Sequence, residues 1–141
     1  MLFRSSMKAS FYPHEQKNQL VRKGYIAARS GHSRGDAIDL TVVRLPAATQ
    51  PDFDQQQQDN CTAPAAQRFA DNSMDMGTGY DCFDIRSHTL HPDLPQTVQA
   101  NRRLLKDAME HQGFANYKKE WWHYTYIKPY GKKQFYTVPV K

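Results

Sequence analysis

The sequence predicts an α+β fold: a small, mostly antiparallel sheet with helices packed on one side. Three stretches carry that expectation. Ala37-Ile-Asp-Leu-Thr-Val-Val43 alternates in polarity and is rich in branched residues, as a strand requires. Glu120 to Ile127 is dominated by aromatic and β-branched residues and reads as a second strand. Between them, Thr97 to Gln112 places Val98, Asn101, Leu105, Ala108 and Gln112 on one helical stripe, widened by Leu104 and Met109. At 141 residues the chain is expected to fold as a single domain spanning 1–141.

The elements follow in order. Residues 1–29 are polar and mixed, with Gln19-Leu-Val-Arg-Lys-Gly24 reading as a helix end closed by glycine. In the 37–43 strand, Ala37, Asp39, Thr41 and Val43 share one face, and Ile38, Leu40 and Val42 the other. An aspartate facing inward is costly unless something pairs with it, and a metal ion would supply that partner. Residues 46–73 contain Pro51, Pro64 and Gln55-Gln-Gln-Gln58 without periodicity, so they read as an irregular insertion loop. Met74 to Asp84 is a glycine-punctuated turn region. In the helix, Pro95 precedes the stripe, Gly113 closes it, and Arg102, Arg103, Lys106 and Glu110 populate the remaining faces. Gln134 to Val140 reads as a last strand, forming a hairpin with the 120–127 strand across a turn at Pro129-Tyr-Gly131.

Composition narrows the function classes. The net charge is +5, yet the densest basic places are pairs: Arg102-Arg103, Lys118-Lys119 and Lys132-Lys133. That scatter fits a solvated surface and argues against a nucleic-acid partner. No apolar run approaches the roughly 18–20 residues of a membrane span, and the start lacks the apolar middle of a secretory signal. Cys61 and Cys82 allow one disulfide and demand none. Compartment is left open between cytoplasm and periplasm, with the insertion and the two cysteines leaning towards an envelope location.

Two strings carry chemistry: Ser30-Gly-His-Ser-Arg-Gly-Asp-Ala-Ile-Asp39 and Glu120-Trp-Trp-His123. His32, Asp39 and His123 offer two imidazoles and one carboxylate as metal ligands. Glu120, three residues before His123, offers a carboxylate to take a proton from water. Three protein ligands with a fourth position open is the inventory of a catalytic zinc site. Positions seven apart in a flat strand face opposite sides, so His32 must sit in a loop that Gly35 bends towards Asp39. Glu120 should likewise occupy the turn or a bulge before the strand, with His123 pointing inward. His14, His91 and His111 have no informative neighbours, and His88 fits a structural hydrogen bond best.

Taken together, Ser30-x-His32-x-x-Gly35-x-Ala37-x-Asp39 and Glu120-Trp-Trp-His123 resemble the zinc D-alanyl-D-alanine dipeptidases of the vancomycin-resistance type. Asp75-Met-Gly-Thr78, followed by Phe83-Asp84 and Ser87-His88, resembles that family's middle motif, and the resemblance runs from about Gly24 to Tyr126. It implies one Zn²⁺ held by His32, Asp39 and His123 at the sheet face, with Glu120 as general base. It implies a small D-amino-acid dipeptide as substrate, with Asp75 meeting the free ammonium and Ser30 contacting the dipeptide. It also implies an arginine in a Tyr-Arg-Pro type motif well before the first histidine, which stabilises the tetrahedral intermediate. Arg4, Arg22 and Arg29 lack that context, so the chain is expected to be an amino-terminally shortened member. Loss of such a group costs about 10²–10³ in rate. The alternatives are a weakly active or inactive zinc-binding remnant, or a related peptidoglycan carboxypeptidase or endopeptidase.

Overall fold

A computed structural model describes residues 10–27, 30–52, 60–128 and 135–136. Its centre is a three-stranded antiparallel sheet of β1 (Ala37–Asp39), β2 (Phe114–Asn116) and β3 (His123–Tyr126), in the order β1-β3-β2. The long helix α1 (Gln96–His111) lies between β1 and β2 in sequence and packs on β2. The α+β architecture is therefore present, with one principal helix against the sheet.

Each strand is shorter than its composition suggests. β1 stops at Asp39, although Leu40 N–H still donates to the Trp122 carbonyl at 3.1 Å. The chain then leaves the sheet, and Val43 pairs in an isolated bridge with Ser73. β3 starts at His123 because Trp121 and Trp122 serve as core rather than as strand. Both are about 98 % buried and meet edge-to-face at 5.2 Å. They form one core with Met76, Leu105 and Tyr124, against which Leu40, Val42, Phe83, Met109 and Phe114 pack. β2 pairs with β3 as a hairpin whose loop holds Glu120, so the expected position of Glu120 in a turn before the strand is the one observed. The expected partner strand at 134–140 lies, apart from residues 135 and 136, outside the described residues.

The helix is found one residue from its expected bounds, but its buried stripe is different. Val98, Arg102 and Leu105 are buried, whereas Leu104 is 53 % exposed and Ala108 is also exposed. Arg102 sits four residues after Val98 and three before Leu105, so helical geometry turns it inward whatever its charge. Its guanidinium donates to the carbonyls of Met76 (2.7 Å), His88 (2.7 Å) and Arg86 (2.9 Å). Burial pulls its pKa down to about 9, partly opposed by Asp75.

Those three bonds bracket the segment from Met76 to His88. A disulfide between Cys61 and Cys82 ties the same segment to the insertion. Inside it, Thr78 and Ser87 hydroxyls are 2.9 Å apart, and the Trp121 indole N–H donates to Thr78 Oγ1 at 2.9 Å. The described part of residues 46–73 carries a single 3-10 turn at Ala65–Gln67. At the other end, the 17–24 region forms one 3-10 turn, Lys17–Gln19, and further turns ending at Gly24 with φ +76°. A side chain on Gly24 would meet the Tyr117 hydroxyl, which donates to the Gly24 carbonyl at 2.6 Å.

Candidate metal centre

Strand register brings two of the three proposed ligands together. Asp39 on β1 faces His123 on β3. The ladder bonds fall on the neighbouring pairs, Leu40 N–H to Trp122 and Tyr126 N–H to Asp36. Asp39 and His123 are thus a non-hydrogen-bonded pair, the kind in which Cα atoms approach to about 4.5 Å and side chains lie closest. His32 arrives by a separate route, on the one-turn 3-10 helix Gly31–Arg34. Ser30 caps that turn by accepting the His32 N–H at 3.2 Å, and Gly35 ends it at φ +73°. The positive φ is a backbone state that glycine adopts without strain, and it redirects the chain into β1.

The three side chains converge. His32 Nε2 lies 3.2 Å from His123 Nδ1 and 3.3 Å from Asp39 Oδ2, and His123 Nδ1 lies 2.9 Å from Asp39 Oδ1. Asp39 Oδ1 is buried, in ion-pair contact with the His123 imidazole and with no further polar partner among the described residues. Ligand atoms held about 2.0–2.1 Å from a tetrahedral zinc stand roughly 3.3 Å apart. The observed separations match that spacing, and a buried carboxylate oxygen facing an imidazole nitrogen is the kind of atom a shared cation satisfies. Among the described residues, this is the cluster of histidine, cysteine and acidic side chains close enough to hold a metal ion.

Two further side chains complete the electrostatics. Glu120 is buried, with Oε2 3.8 Å from His123 Nδ1. Burial pushes its pKa up to about 7, helped by Asp39 and Asp81 and opposed by His123 and Lys119. Asp81, at φ +55°, is pushed up to about 6 by burial and by Asp39, with His32 and His123 opposing. The His123 imidazole is shifted upwards: burial disfavours its charged form, but the adjacent Asp39 carboxylate outweighs it. Tyr80 packs on Trp122 with ring centres 5.7 Å apart and donates its hydroxyl to Asp39 Oδ2 at 3.3 Å.

These groups open into a pocket of about 670 Å³, within the range of small-molecule sites. Ser30, His32, Asp39, Glu120 and His123 all line it, so five of the six residues singled out from sequence meet there. Asp75 does not. Its Oδ1 is held by Arg68 Nη2 at 2.6 Å and by the Gly77 N–H at 2.8 Å, beside a separate cavity of about 180 Å³. The acidic side chain that the same segment does bring to the pocket is Asp81. A sequence signal for it existed: an aspartate directly before Cys82, at the end of the glycine turn. His88 makes the structural contact expected of it, with Nε2 3.4 Å from the Tyr25 hydroxyl.

Comparison with known proteins identifies the family. Residues 48–141 match the peptidase M15 family model, described as D-ala-D-ala dipeptidase. A D-alanyl-D-alanine dipeptidase from Enterococcus faecium is 33 % identical over 95 % of this chain and 55 % of its own length. A protein of the same name from Streptomyces coelicolor is 35 % identical over 94 % of this chain and 54 % of its own length. One from Escherichia coli is 35 % identical over 70 % of this chain. The chain spans about half the length of the first two relatives. A match covering 95 % of 141 residues takes in both the 30–39 and the 120–123 strings. With the family model covering two thirds of the sequence, the chain belongs to the D-Ala-D-Ala dipeptidase family of M15 peptidases.

Proposed function

We propose that this chain carries the catalytic centre of a zinc-dependent dipeptidase acting on D-Ala-D-Ala. The observation that carries the proposal is the convergence of His32, Asp39 and His123 at tetrahedral ligand spacing, with the Glu120 carboxyl beside them. These three would hold one Zn²⁺. When bound, zinc supplies a Lewis acid that lowers the pKa of water towards about 7 and polarises a carbonyl.

The chain's own residues do the rest. Glu120 takes a proton from the attacking water as the new C–O bond forms. It returns that proton to the amine nitrogen as the C–N bond breaks, so one water is consumed and Glu120 ends as it began. Its burial favours the protonated form, which suits it to hold the proton between the two steps. Asp81, rather than the Arg68-held Asp75, is the carboxylate available to accept the substrate ammonium. Ser30 uses its hydroxyl to cap the His32 turn and presents the rim of the pocket to the dipeptide.

The Cys61–Cys82 disulfide supports an oxidising compartment for the working protein, and so a role in cell-wall peptide turnover or glycopeptide resistance. The experiment is a zinc determination on the folded chain with a D-Ala-D-Ala hydrolysis assay, repeated on Glu120→Gln. One zinc per chain, with turnover lost by about 10²–10⁴-fold in the variant and zinc retained, is the expected result. A folded protein that takes up no zinc would remove the basis of the reading.

A further inference from the structure

Among the described residues lining the pocket are three carboxyl side chains, Asp39, Asp81 and Glu120, and a single side chain of fixed positive charge, Arg34. Arg34 belongs to the same one-turn helix as His32. Its side chain is only 22 % exposed, and it is anchored on one edge and one face. Nε donates to both oxygens of Asp36, at 3.0 and 3.1 Å, and the guanidinium carbon lies 5.6 Å from the centre of the Phe135 ring. Gly31 makes room for the group, since a Cβ there would come within 3.3 Å of Arg34 Nη2. Nη2 therefore rests against the backbone between Ser30 and His32, both of which line the pocket.

Asp36 occupies Nε and leaves the two Nη nitrogens without a hydrogen bond to any described residue. A guanidinium held this way presents a planar fork that matches the two oxygens of a carboxylate. With Asp39 given to the proposed zinc, a peptide's terminal carboxylate still enters beside Asp81 and Glu120, and a cationic partner offsets that repulsion.

We propose that Arg34 is the receptor for the substrate's terminal carboxylate, and that it restricts the site to peptides whose free C-terminus lies within the pocket. This inference rests on the dipeptidase reading above. It adds a specificity rule: the free acid is accepted, and the same peptide with a C-terminal amide is not.

The test uses the zinc-loaded chain carrying Glu120→Gln, so that ligands bind without turnover. Calorimetry compares D-Ala-D-Ala with its C-terminal amide. The parent should prefer the acid by about 30- to 100-fold, the scale of one bidentate charge-assisted contact. Adding Arg34→Gln should abolish that preference by weakening the acid while leaving the amide unchanged. Adding Arg34→Lys, which keeps the charge but not the fork, should retain part of it. A parent that binds acid and amide equally overturns the proposal without any change at position 34. So does an Arg34→Gln variant that loses both ligands alike, the result expected if the residue only braces the His32 turn. If a zinc-loaded parent binds neither ligand, the dipeptidase reading itself fails, and Arg34 as carboxylate receptor falls with it.

Discussion

Replacing Arg102 by Met should unfold this protein more readily than any surface change, although the residue touches no proposed ligand. Arg102 is fully buried and spends its guanidinium on three main-chain carbonyls, at 2.7, 2.7 and 2.9 Å. Hydrogen bonds from a charged donor are worth about 1.5–3 kcal/mol each, and carbonyls left unpaired in the interior add a cost of their own. Against this stands the recovered desolvation of a buried cation, visible in its depressed pKa of about 9. The balance for breaking such a buried charged network is a loss of about 3–5 kcal/mol, a large share of a small domain's stability. Arg102→Lys should rescue little, because one ammonium cannot span the carbonyls of Met76, Arg86 and His88. Urea denaturation of the metal-free protein measures the effect. A loss below about 1 kcal/mol in Arg102→Met would refute the reasoning, and would mean that water or a local shift satisfies the three carbonyls.

Other expectations follow from the same contacts. His123→Ala should abolish stoichiometric zinc uptake, measured by metal analysis after dialysis, because it removes one of the three proposed ligands. Reduction of the Cys61–Cys82 bridge should lower stability by roughly 3 kcal/mol, the chain-entropy value for a loop of this length, read as a reductant-dependent fall in Tm. In the metal-free protein, Glu120 and Asp81 have folded-state pKa values raised to about 7 and about 6. The unfolded chain then releases their protons first, so stability should fall as pH rises from about 4 towards 7, and Glu120→Gln should flatten that slope in pH-dependent denaturation.

The site was more legible in the sequence than the fold around it. Glycines on both sides of His32 and the polarity pattern of 37–43 were enough to foresee a loop delivering one ligand to a strand that holds another. Five of the six singled-out residues reach one pocket for that reason. The strand lengths were not legible. Trp121 and Trp122 have strong β propensity, yet the core needs their volume more than the sheet needs their hydrogen bonds. The charge of Arg102 points to the solvent side while its helical position points inward, and nothing local announces three carbonyls waiting for a donor. The expectation for Asp75 rests on motif resemblance alone, which carries no information about what the side chain touches. Only tertiary contacts show that Arg68 engages Asp75, while Asp81 stands at the pocket.

The pairing of Asp39 with His123 across the sheet has one more consequence. Strand side chains alternate between faces, so a one-residue slip between β1 and β3 would take the two ligands out of opposition and leave them on different sides of the sheet. On the zinc reading, bound metal would be a reporter of register: only the correctly aligned sheet brings Asp39 and His123 together. A metal held by the proposed ligands would therefore also act as a proofreader of the fold, stabilising the aligned state and no misaligned one.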